Sequence, residues 1–365
     1  MLRREDRIAR QLDLADYRRW TLQEFSGTLC IDEIHLGHLT LLLATDPLKD
    51  FAVAFALVSR NDQDHLARFL RQLRDHGLAP RVVVTDGSNL YPTVLAQVWP
   101  QAEHQLCIFH VLQDVNRDLL KVVCQLRKQL ARRAGPGRGP RGPRRRPLGR
   151  RDAQGRRRPS AQQAARQRRR ELQQHRQFVF RNRYLIVRRR ESLSARQGQD
   201  LVQMLEYLPA LRLLRRFVDQ VHKLFEHAQT SAQAWQRFAD LQADAAFQAD
   251  PDLAAILAGW TAEQFAKMVT FLRSPLGARV RTNNHVERMN RQLRHYEKVR
   301  YRWRQARAVV RFVALAVDRQ WQARRQAATP QLFHPGGGTP ERAEREAEPA
   351  KAVADNGPPE ETQAA

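Results

Sequence analysis

Residues 28–58 read TLCIDEIHLGHLTLLLATDPLKDFAVAFALV. Three apolar runs stand here in close succession, TLCIDEIHL, LTLLLATD and FAVAFALV, rich in the β-branched and aromatic residues that suit strands. Gly37 divides the first from the second, and the DPLKD turn, Asp46 to Asp50, divides the second from the third. Connections this short leave room only for antiparallel neighbours, so the stretch predicts a three-stranded meander. The first run carries an acid, Asp32, in its middle. An ionised carboxylate inside a central strand is costly unless it is paired or bound to a cation.

The pattern continues outward from the meander. DQDHLARFLRQLRDHG (Asp62–Gly77) is helical, with Leu66, Phe69, Leu70 and Leu73 on one face and Gly77 as a stop. RVVVTD is a short buried strand ending at Asp86, SNLYPTVLAQVWP a helix or turn, EHQLC a fifth strand, and CIFHVLQDVNRDLLKVVCQLRKQL a long helix. Strands that follow helices suit parallel additions to the same sheet. The chain is thus α/β, and its order of three strands, helix, strand, helix, strand, helix is that of a ribonuclease H-like mixed sheet.

Composition bounds what such a fold would serve. The chain has 365 residues and a formal net charge of +25. That excess points to a polyanionic partner, nucleic acid before membrane. The three cysteines, Cys30, Cys107 and Cys124, make no disulfide framework and suit a reducing compartment. The charged start, MLRREDRIARQLDL, is no signal peptide, and no apolar run reaches membrane-spanning length.

Six regions follow from shifts in composition. Residues 1–26 form a short basic N-terminal segment, and 27–130 the first part of the sheet domain. Residues 131–198 are an Arg-rich linker, expected to be disordered in part. Between 131 and 170 it holds sixteen Arg and one acid, a composition that packs no core. Residues 199–275 are a helical insertion, with Leu211, Leu214, Phe217, Val218, Val221, Leu224 and Phe225 on one helix face and further helices near 231–248 and 261–273. Residues 276–325 complete the sheet domain with a basic helix running to about Arg325, and 326–365 are a disordered tail. Trp235 and Trp260 read as insertion core, or as rings that stack on an unpaired base.

Three acids can then meet. Asp32 and Asp86 lie on strands that are neighbours in this topology, Asp86 at a strand's carboxyl end where α/β sheets place ligands. Glu33 is turned to the opposite face by alternation. Glu287, in TNNHVERMNRQLR, has a modest explanation as a capping acid, standing three residues after Asn284. Arriving from a helix on the sheet, it would instead complete an oxygen cage for two divalent cations, Mg²⁺ or Mn²⁺. Arg288, Arg291 and Arg294, with Asn283 and Asn284, would hold a DNA backbone beside them.

Asp32 in CIDEIHL, Asp86 in VVVTDGSNLY and Glu287 in its helix resemble the D, D and E of DDE transposases. Cys107-x-x-His110, in WPQAEHQLCIFHVLQDVNR, resembles a motif of Mutator-like transposases and their bacterial insertion-sequence relatives. Two ligands fall short of the four of a structural zinc. The likeness covers roughly 27–124 and 280–322, and the family accommodates a helical insertion before the Glu helix. It implies metal-dependent DNA cleavage and strand transfer at an element's ends. Transposon-end and target DNA would be the partners, with a homo-oligomer as the active complex and a cytoplasmic, nucleoid-associated site of action. A non-catalytic DNA-binding remnant and another ribonuclease H-like nuclease are the alternatives. About thirty residues precede Asp32 and hold no end-reading module, so end recognition is expected to need a separate polypeptide or a longer reading frame.

Overall fold

The meander forms as its alternation demands. Strands β1 (Thr28–Leu36), β2 (Leu39–Asp46) and β3 (Phe51–Val58) pair antiparallel, with Asp32 opposite Leu43. Strands β4 (Val82–Thr85) and β5 (Glu103–Leu106) add in parallel beyond β1, giving the order β3-β2-β1-β4-β5. This is the expected ribonuclease H-like sheet, with β1 at its centre. The computed structural model describes residues 14–36, 38–133, 161–275, 279–299 and 305–328. The Arg-rich run at 134–160 and the tail from 329 lie outside these residues.

Both faces of the sheet are covered, and the strand period decides which residue goes where. Leu29 and Ile31 of β1 pack under α2 (Gln63–Asp75) and α3 (Tyr91–Val98), against Leu66, Phe69, Leu70 and Val94. Asp62 caps α2 by accepting the His65 N–H at 2.9 Å. Cys30, Ile34 and Leu36 face the other way. There they meet α1 (Leu14–Glu24), Val286 and Leu293 of α12 (Asn284–Val299), and Val309, Val313 and Val317 of α13 (Ala306–Ala328). Tyr17 of α1 donates its hydroxyl to the Ala52 carbonyl of edge strand β3 and sets its ring edge-on to Trp321, centroids 5.3 Å apart.

The basic helix expected to run unbroken to Arg325 is two helices. Helix α12 ends at Val299 and α13 begins at Ala306, with residues 300–304 between them outside the described residues; Val286 and Leu293 of the first and Val309, Val313 and Val317 of the second are buried in one core. Residues up to Trp321 form one unit; those from Gln322 form a second, of which only the end of α13 is described.

Helix α4 (Ile108–Arg133) leaves the sheet and joins the insertion core. That core starts earlier than the composition suggests. Helix α5 (Ala161–Asn182) occupies part of the Arg-rich linker, and Val179, Leu185, Ile186 and Val187 are buried in the same core as α4. Val179, with Leu172 and Phe178 half-buried, anchors the C-terminal half of a helix whose remaining positions are largely exposed arginine and glutamine. Then follow α6 (Ala195–Tyr207), closed by a Ser194/Gln197 capping box, α7 (Leu211–Glu226), α8 (Ser231–Ala243) and α9 (Ala245–Ala249). The series ends with α10 (Pro251–Ala258), α11 (Ala262–Met268) and a 3₁₀ turn, Thr270–Arg273. Trp260 is buried with its ring near Phe225 and Phe238, and Trp235 sets its ring against Phe265, centroids 4.8 Å apart. Core packing accounts for both rings, and Trp260 has no open face for a base. Gln105 on β5 ties the insertion to the sheet edge, donating to Met268 O at 2.9 Å and accepting from Phe271 N at 2.7 Å. No helix among the described residues is long and apolar enough to cross a membrane.

Candidate active site

Strand register aligns the site. Cys30 is level with Val84 in the parallel β1–β4 pair, so two residues further along each chain Asp32 comes abreast of Asp86 on the same face. Thr85 is level with Leu106 in the β4–β5 pair, so the next residue of each brings Cys107 beside Asp86. The Cys107 N–H donates to Thr85 O at 2.8 Å and fixes that alignment past the end of β5. Asp86 begins the loop after β4 and accepts the Ser88 N–H at 2.9 Å.

Helix α12 lies over this row. Its first helical hydrogen bond, Glu287 N–H to Asn283 O at 3.1 Å, makes Asn283 the cap position. Asn284 is the first helical residue, so the capping box expected between Asn284 and Glu287 does not form. Asn283 is fully buried and donates its side-chain amide to Ile31 O at 3.0 Å, while its N–H meets Cys107 Sγ at 3.1 Å. It therefore stitches the helix start to β1 and β5 and is not open to DNA. Arg288, Arg291, Arg294 and Asn284 are exposed. The Arg288 guanidinium lies 3.5 Å from Asp50, which also holds the buried His285 at 2.5 Å.

Glu287 and Asn290, one turn apart, both point to the sheet. Asn290 is buried and donates to Asp32 Oδ2 at 2.7 Å. It was not anticipated; its only signal is the i, i+3 spacing from Glu287, which sets both on one helix face. Glu287 Oε1 is buried, accepts no hydrogen bond and lies 3.5 Å from His110 Nε2. The ligand atoms of Cys107, His110 and Glu287 fall within 4.8 Å of one another, the only such group of three among the described residues. Glu287 thus leans toward the Cys-x-x-His pair, while its charge still reaches Asp32.

The electrostatics follow from burial. Desolvation lifts the Asp32 carboxyl from its ordinary 3.8 to about 7, helped by the charges of Glu33, Asp86 and Glu287 and opposed by a backbone hydrogen bond from Glu33. Asp86 is raised by burial and by Glu33, while the Ser88 N–H and His110 pull it down. Glu33 itself faces the other layer, as alternation requires, and accepts from Tyr91 and, at 3.0 Å, from Asn61. Raised carboxyls side by side and an orphaned carboxylate oxygen above them are a donor set of hard oxygens short of positive charge. Carboxylate oxygens of this kind suit a divalent cation, while the ligand atoms gathered within 4.8 Å are those of Cys107, His110 and Glu287.

No curated protein matches the chain. The chain does match the ISL3 family of DDE transposases, described as transposase, over residues 29–309. That span takes in Asp32, Asp86, Cys107, His110 and Glu287. The match corrects the Mutator-like expectation drawn from Cys107-x-x-His110, because ISL3 is a different family. On the extent of the match, more than half of its length, this chain belongs to the ISL3 family of DDE transposases, enzymes that act on DNA.

Proposed function

We propose that this transposase cuts and joins DNA at the ends of an insertion sequence, using Asp32, Asp86 and Glu287 as its metal-binding carboxylates. The observation that carries the reading is the parallel register that sets Asp32 abreast of Asp86, beneath the helix bearing Glu287. Two divalent cations bound there would activate the attacking oxygen and stabilise the leaving one in an in-line phosphoryl displacement. The remaining roles fall to the chain's own side chains. Asn290 holds Asp32 Oδ2 and so fixes which carboxylate oxygen stays available. His110, within 3.5 Å of Glu287, stands where a proton can be taken up or released beside the reacting phosphate. Arg288, Arg291 and Arg294, exposed on α12, would steady the DNA backbone.

In the first step water attacks a phosphodiester at the element's end, and the bond to the 3′ oxygen breaks, leaving a 3′-hydroxyl. In the second that hydroxyl attacks a target phosphodiester and displaces its 3′ oxygen, with no covalent protein–DNA bond. Pairing of two ends would call for more than one copy of the chain, with or without a separate end-binding polypeptide.

Strand cleavage of an end-containing duplex with Mg²⁺ or Mn²⁺ is the test. Asp32→Asn, Asp86→Asn and Glu287→Gln should each abolish product while leaving duplex affinity within about threefold, about 0.6 kcal/mol. Wild-type cleavage by the Glu287→Gln protein would remove Glu287 from the metal site.

A further inference from the structure

The insertion carries a second feature that the catalytic site does not use. Where α5 ends, Phe180 is 40% and Tyr184 53% exposed, large rings on a surface whose own core is already supplied by Val179, Leu185 and Ile186. The rings alternate with arginines. Arg127 of α4 lies over Phe180 at 4.3 Å; Arg183 lies 4.3 Å from both the Phe180 and the Tyr184 centroids and donates to the Tyr184 hydroxyl at 3.0 Å. A cation–ring ladder with its last ring out in water gains little from burial, so packing alone does not explain it.

The turn that carries Tyr184 is also held with unusual firmness. Arg215 is fully buried, and one of its nitrogens donates to the carbonyls of Leu185, Ile186 and Arg188 at 3.1, 3.0 and 2.6 Å. Its other terminal nitrogen pairs with Asp219. A buried arginine is a costly way to stabilise a helix pair. It is a sound way to fix a short turn, and through it the orientation of an exposed ring.

The charge nearby favours an anion. Arg189 and Arg190 are matched by Glu226 and Asp219, but Arg188 meets only neutral acceptors, Gln197 Oε1 at 3.3 Å and Ser192 O at 3.4 Å. Arg181, the residue after Phe180, is exposed. Arg183 itself meets only neutral oxygens, Phe180 O at 2.7 Å and the Tyr184 hydroxyl at 3.0 Å, and a flat ring against such a guanidinium matches a stacked base with its phosphate.

We infer that the Phe180–Arg183–Tyr184 ladder is a stacking platform for an unpaired base of the DNA that the active site cleaves. The inference rests on the transposase reading and adds where the substrate must be unpaired. Arg127 and His110 stand on one helix, α4, about 25 Å apart at its regular rise.

The experiment uses the full chain in EDTA, so that cleavage is silent, and two labelled duplexes of one sequence. One is fully paired; the other carries an unpaired 2-aminopurine. Wild type should prefer the unpaired probe by at least about fivefold and quench its fluorescence, the lower range for stacking one base on an aromatic ring. Tyr184→Ala should erase the preference and the quenching while keeping affinity for the paired duplex within twofold; Tyr184→Phe should restore both. Asp32→Asn should retain the preference, so the platform and the catalytic assignment fail separately. Wild type without a preference, a preference that survives Tyr184→Ala, or an equal loss on both probes would each overturn the proposal.

Discussion

Asp32 is the side chain on which burial and function pull in opposite directions. Its carboxyl, lifted from 3.8 to about 7 chiefly by desolvation, keeps a proton in the folded chain that the unfolded chain has released. The folded state thus binds more protons between those two values, and stability from this group falls as pH rises through them. Below about pH 4 both states are protonated and the penalty is absent; above about pH 7 it is present in full. Asp32→Asn keeps an acceptor for Asn290 and carries no charge. In EDTA at pH 8 the variant should resist denaturant better than wild type, by an amount on the order of a few kcal/mol. The gap should close toward pH 4. Millimolar Mg²⁺ should raise the wild-type midpoint and leave the variant's unmoved. A wild type more stable than the variant at pH 8 in EDTA would mean that the carboxylate is already compensated by protein alone. Asp32 and Asp86 were visible as candidates in the sequence because strand alternation and a strand end locate them without any partner, and Glu287 because its helix resembles that of DDE transposases. Asn283 and Asn290 were not, because a buried amide declares its role only through what it bonds, here Ile31 O and Asp32, each over 250 residues away in the chain.

Elements were legible where apolar period and turn residues agreed, as in the meander, α2 and α7. They were misread where charge masked the period. Helix α5 looked like linker because one buried face, with Val179 as its anchor, is outnumbered by arginines. The join between insertion and sheet had no sequence signature. Gln105 alternates in β5 like any strand residue, yet it completes the bonding of Met268 O and Phe271 N, which belong to the far end of the insertion. Gln105→Leu fills similar space and strands both backbone groups in a buried place. The cost should be about 1–3 kcal/mol for each group left without a partner, read as a lower urea midpoint. A midpoint unchanged to within roughly 0.5 kcal/mol would mean that the last turn of the insertion finds other partners and that Gln105 is a passenger at the edge.

At the scale of the whole chain the dominant quantity is charge, +25 over 365 residues. Fold class could be argued without it, since strand order alone fixes the sheet, and its value lies in what it says about the partner. The charge is not spread evenly. Residues 134–160 hold ten arginines against one acid, Asp152, whereas in the described insertion many arginines are already matched, as Arg216 is by Asp244 and Arg190 by Asp219. Matched guanidinium groups release few counterions from DNA, so the salt dependence of binding should come mainly from that acid-poor run and from Arg291 and Arg294 of α12. Replacing 134–160 by a Gly/Ser linker of equal length should therefore flatten the slope of log affinity against log salt. The largest possible change is about nine, if all ten arginines reach phosphates of B-form DNA, each contributing about 0.9. Affinity for a paired duplex should fall most at low salt and converge with wild type as salt rises, while the pattern of cleavage positions stays fixed, because phosphate contacts carry no sequence information. An unchanged slope in a filter-binding titration would mark the run as a spacer and leave Arg291 and Arg294 as the principal phosphate contacts.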